Sequence, residues 1–172
     1  MNRVYERRLP PVFFFLTGLL SGAAVRFLDL YTTNLGNIFS QLSIWILIGV
    51  LLSIYSKTPQ SAMVRVLLFC LGMLITYYAV AILTDGVYSW TLIAGWTVFA
   101  LCSPVLAFFT HRAMGRGIFP VLLRLGILLI SVLSSILLFD GFRIYDWVID
   151  GLLVFFLFFP PGKPPAKEKR TA

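Results

Sequence analysis

Six runs of apolar residues, separated by short polar breaks, organise the chain; they cover about 11–30, 38–55, 62–83, 91–109, 119–139 and 141–160. A helix needs about 20 apolar residues to cross a hydrocarbon core of about 30 Å, so each run has the length of a membrane span. The pattern predicts an all-α integral membrane bundle of six transmembrane helices. The breaks are helix-stopping sequences: 31–37 with Thr32, Thr33, Asn34 and Gly36, then Ser56-Lys57-Thr58-Pro59, Thr84-Asp85-Gly86, Thr110 to Gly117, and Asp140-Gly141.

Features inside the runs add detail. The first carries Gly18 and Gly22 beside Ser21, Ala23 and Ala24, a small-residue face that lets another helix approach, from within the same bundle or from a partner. Its basic start and small cluster have the make-up of a signal peptide, but the apolar character continues through Leu30, and an uncleaved first helix is expected. In the fourth run Pro104 follows Ser103 and should kink the helix and free a carbonyl, a device of transporter sites and of ordinary packing alike. Arg124 is expected to snorkel to the headgroups. Ser131, Ser134 and Ser135 offer hydroxyls for bonds along or between helices, and His111 reads as a loop residue at the interface. Cys70 and Cys102 read as packing residues, with no disulfide or metal pattern.

Composition bears out the pattern: of 172 residues, 59% are hydrophobic and 12% charged, with mean hydropathy +0.92. That excludes a soluble core of this size and leaves room for one membrane domain, 1–161, and a proline-rich, basic, disordered tail, 162–172. The net charge of +7 does not point to nucleic acid, because the basic residues flank apolar runs. With the N-terminus inside, six spans put 12 of the 14 Lys and Arg residues on one side, all but Arg26 and Arg143. The positive-inside rule then makes that side, with both termini, cytoplasmic, in a multi-pass cell-membrane protein.

The chemistry gathers on the opposite side. Arg143, Asp146 and Asp150 stand in the last run, and the four-residue spacing of the aspartates puts both on one helix face. Counted from Gly141 at about 1.5 Å per residue, Asp150 lies about 13 Å down the span, where an ionised group in lipid costs about 3 kcal/mol or more. Asp146 is shallower and expected to be wet. Asp29, Asp85 and Asp140 share this outer half. With Tyr77, Tyr78, Gln41, Trp90 and Trp147 they are expected to line an outward-facing polar pocket for a small cationic or zwitterionic solute, its site built from Arg26, Asp146 and Asp150. The competing structural reading, preferred for Asp29, Asp85 and Asp140, makes those three solvated loop residues, with Asp29 near enough to Arg26 to pair locally; it pairs Arg26 or Arg143 with Asp150 or Asp146 to lock helices. No HExxH, Ser-based triad or phosphate loop is present, so neither an enzyme nor a cofactor is expected.

Six short-looped spans with both termini inside and a polar outer half resemble the substrate-binding subunits of energy-coupling-factor vitamin transporters. The resemblance implies a solute-binding or transport subunit. That family docks its energising subunit through an alanine-rich face on the first helix, where Gly18, Gly22 and Ala23 stand here. The stretches Tyr55-Ser56-Lys57-Thr58-Pro59 and 72–78 are also similar to small uncharacterised multi-span proteins of Gram-positive bacteria. A non-catalytic accessory or assembly subunit, packed on a larger membrane partner through the Gly18/Gly22 face, is the alternative.

Overall fold

The computed structural model describes residues 9–32, 38–39, 41–84, 90–138 and 143–159. Outside them lie Arg3, Arg7 and Arg8, most of the first loop, Asp85, Asp140, Gly141 and the basic tail. Among the described residues the chain is all-α, with no strand and six helices: α1 (Pro11–Tyr31), α2 (Leu42–Ile54), α3 (Pro59–Leu83), α4 (Trp90–Ala113), α5 (Ile118–Leu138) and α6 (Ile144–Phe158). Four contain stretches long and apolar enough to cross a membrane: all of α1 and α3, Ile93–Ala113 of α4 and Ile118–Leu137 of α5. The chain therefore has the make-up of a membrane protein.

The other two are shorter than their apolar runs. At 13 and 15 residues, α2 and α6 are about 20 and 22 Å long. Polar residues at their starts explain the shortening: extended Gln41 is the N-cap of α2 and extended Arg143 that of α6. Asp150 accordingly lies only about 9 Å along α6 from Ile144.

Two further boundaries depart from expectation. Pro59 ends one run but opens the next helix, where its missing N–H costs nothing, and the Thr58 hydroxyl caps that helix by accepting from the Ser61 N–H at 3.1 Å. His111 is not in a loop. It lies in the last turn of α4, where cationic groups suit the helix dipole, with Nε2 3.2 Å from the Ser56 carbonyl. Gly117, at φ +114°, then supplies a backbone conformation that other residues avoid and turns the chain toward α5.

Helix α2 sits at the centre, touching α3, α4, α5 and α6. Its Leu47, Val50 and Ile54 form a buried core with Ile149, Leu153 and Leu157 of α6. On the flank, α1 runs parallel to α3 in a constant register: Phe14, Gly18, Gly22 and Arg26 meet Arg65, Phe69, Met73 and Tyr77, each 51 positions later. A Cβ at Gly18 would overlap the Phe69 carbonyl, one at Gly22 the Met73 carbonyl, and one at Gly72 the Phe15 carbonyl. Backbones touch here, and the Thr76 hydroxyl crosses the seam to the Leu19 carbonyl at 2.7 Å. The Gly18/Gly22 face is thus covered within the chain.

Candidate functional site

Two serines of α5 and two aspartates of α6 share one repeat. Ser131 and Ser135 are four apart, as are Asp146 and Asp150, so each pair lies on one helix face. Because the helices run antiparallel, the pairs meet as two rungs. The Ser131 hydroxyl donates to Asp150 Oδ1 at 2.6 Å and the Ser135 hydroxyl to Asp146 Oδ1 at 3.2 Å. From α2 the Ser43 hydroxyl reaches Asp146 Oδ1 at 3.4 Å and Gln41 Oε1 at 3.5 Å, and Gln41 Nε2 donates to the Tyr145 hydroxyl at 3.4 Å. Asp146 Oδ2 accepts the Arg143 backbone N–H at 2.8 Å, capping the start of α6.

Asp146 was expected to be wet, and it is not. It has no exposed surface, nor have Gln41, Ser43 and Ser131. Its shallow position does not expose it, because α2 and α5 close over it from either side. Asp150 is 8% exposed and its Oδ2 is buried with no hydrogen-bond partner; among the described residues only one other buried side-chain polar atom, Arg26 Nε, lacks a partner too. An unpaired carboxylate oxygen in a buried setting costs more than a neutral orphan, for which about 1–3 kcal/mol is typical.

Arg26 does not join this cluster. It is buried between α1 and α3, where Nη1 forms an ion pair with Asp29 Oδ2 at 2.7 Å and the guanidinium lies 5.6 Å from the Tyr77 ring centre. The Tyr77 hydroxyl donates to the same Asp29 oxygen at 3.4 Å, and Tyr78, half-buried, packs edge-on to Tyr77 at 5.3 Å. The site drawn from Arg26, Asp146 and Asp150 together is corrected accordingly: α1 packs on α3, while α6 packs on α2 and α5. Of the predicted residues, Gln41, Asp146, Asp150 and Arg143 gather at the α2–α5–α6 seam, with the Arg143 Nη1 2.6 Å from the Tyr145 hydroxyl. Arg26, Tyr77 and Tyr78 form a second group with Asp29. Trp90 and Trp147 are largely exposed. The serine partners were not singled out as site residues, although the matching four-residue spacings on either side of a short turn were a signal for them.

Elsewhere, Pro104 leaves the Ala100 carbonyl without its helical donor, and the Ser103 hydroxyl takes that place at 2.7 Å. The freed carbonyl is spent within the helix and is not offered to a solute. Arg124 also acts locally: its Nε and Nη2 donate to the Ala113 and Gly115 carbonyls at 2.8 and 3.2 Å, closing the end of α4. The described residues contain no group of three or more His, Cys, Asp or Glu side chains placed to hold a metal ion. Comparison with protein-family models, curated proteins and solved structures finds no match to this chain.

Proposed function

We propose that the chain is a six-span protein of the cell membrane, a solute-binding or transport subunit whose α2–α5–α6 seam takes up a small cation. The observation that carries this reading is Asp150 Oδ2: a buried acceptor, unpaired, one helical turn from a second buried carboxylate. Neutral oxygens, the donor type that suits hard cations, stand along the same seam: the Ser131 hydroxyl against Asp150, the Ser43 and Ser135 hydroxyls against Asp146, and the Gln41 amide oxygen against Ser43. Arg26, which was expected to belong to this site, lies in the other cluster with Asp29 and Tyr77. In a low-dielectric seam such a carboxylate pair gains most from an entering positive charge.

Alternating helix directions support the six-span topology: α1 lies parallel to α3, α2 parallel to α6, and α5 antiparallel to α6. The basic residues support cytoplasmic termini, as argued above. Two helices shorter than the hydrocarbon core are tolerated where longer neighbours surround them and the bilayer thins locally. The accessory-subunit alternative rests on the Gly18/Gly22 face, which α3 occupies.

The test is thermal stability of purified protein in sodium, potassium, lithium or methylammonium chloride, each replacing N-methylglucamine chloride at constant ionic strength. At least one cation should raise the melting temperature of the parent and fail to do so in Asp150→Asn, which can still accept from Ser131. Equal responses in parent and variant would remove the site.

A further inference from the structure

A cavity of about 280 Å³ lies among α2, α3, α4 and α5, apart from the polar seam. It is nearly twice the size of an apolar cavity of about 150 Å³ that stays dry and takes up benzene. Its wall includes Trp45, Phe69, Trp96 and Phe99. The wall hydroxyls of Ser53, Ser103 and Thr110 already donate to the Gly49, Ala100 and Leu106 carbonyls at 2.7, 2.7 and 2.8 Å. None of these three hydroxyls is left to donate to a guest.

Two glycines make the space a feature of the chain. Gly49 and Gly126 line the cavity, and a Cβ at either would meet no atom within 4 Å. Glycine inside a helix costs about 1 kcal/mol relative to alanine. At Gly18, Gly22 and Gly72 close helix contact requires it, whereas at Gly49 and Gly126 no protein group uses the room. Gly95 and Gly151 are equally unhindered but lie on the exposed surface.

The cavity opens sideways. Leu106 and Phe109 of α4 and Leu122 and Ile130 of α5 line it and are also exposed, so the mouth lies between two helices of membrane-crossing length. At the α4–α5 turn stand exposed Arg112 and Arg116, the former 5.3 Å from the Phe108 ring centre. Two exposed positive charges at the turn that joins the two helices of the mouth match an anionic headgroup on an apolar chain.

We propose that this cavity holds an acyl chain of an anionic membrane lipid, which enters between α4 and α5 with its phosphate against Arg112 and Arg116. Trp45 and Trp96 provide the readout in a Trp90→Phe/Trp147→Phe background, which leaves only these two tryptophans, both on the cavity wall. The protein is placed in phosphatidylcholine vesicles containing phosphatidylglycerol or phosphatidylcholine brominated on its chains, at equal mole fraction. Brominated phosphatidylglycerol should quench the emission more strongly. Filling the cavity by Gly126→Phe, or separately by Gly49→Leu, should remove that excess, and Arg112→Gln/Arg116→Gln should equalise the two lipids. Equal quenching by both lipids in the unfilled protein, or an excess that survives both filling variants, would overturn the proposal.

Discussion

The α1–α3 seam and the α5–α6 seam join helices by opposite means. Along the first, Gly18, Gly22 and Gly72 remove side chains so that backbones meet, and a seam closed by steric fit has no room for a guest. Along the second, Ser131 and Ser135 reach across to Asp150 and Asp146, and the hydrogen bonds stop one short: Oδ2 of Asp150 has no donor. Small residues make a joint, whereas short polar residues facing longer acidic ones make a joint with an unfilled acceptor. Only the second leaves a carboxylate oxygen open; the orphan atom beside the first, Arg26 Nε, is a donor.

The sharpest way to break the comparison is at the glycine seam. Gly22→Leu would drive a side chain into the Met73 carbonyl, which cannot rotate away, and overpacking of this kind costs about 1–3 kcal/mol or more. Thermal unfolding in detergent should show the largest loss of any change considered, and a parental melting temperature would mean that α1 is not seated as described. Next comes Asp146→Ala, which removes the cap on the Arg143 N–H and the acceptor for Ser43 and Ser135; buried donors left unpaired cost about 1–3 kcal/mol. Ser131→Ala, which leaves both Asp150 oxygens without a donor, should cost a similar amount, about 1–3 kcal/mol. Smallest and opposite in sign, Gly126→Ala should stabilise by up to about 1 kcal/mol, since its Cβ meets open space. The contrast fails if Gly126→Ala and Gly22→Ala shift the melting temperature in the same direction.

How much of this was legible beforehand follows from what is local. Apolar run length and breaks such as Thr58-Pro59 depend on neighbouring residues, so all six helices fell inside or close to their runs. The starts of α2 and α6 come later than their runs begin, because Gln41 and Arg143, inside those runs, are extended N-caps whose side chains join the polar seam. Helix neighbours are not local at all. Arg26 looked available to Asp150 as long as α1's place in the bundle was open, and its packing on α3 gives it Asp29 and Tyr77 instead. Depth along a helix is not depth from water: Asp146 is shallow in α6, and its burial by Ser43 and Ser135 comes from two other helices.

Whether the unfilled oxygen of Asp150 takes a cation is read from melting temperature against cation concentration, for the parent and Asp150→Asn side by side. The parent should show a saturable rise with at least one small cation and the variant a flat response, with both proteins folded. Parallel curves, rising or flat, would contradict cation binding there and leave the aspartate pair as a helix joint alone.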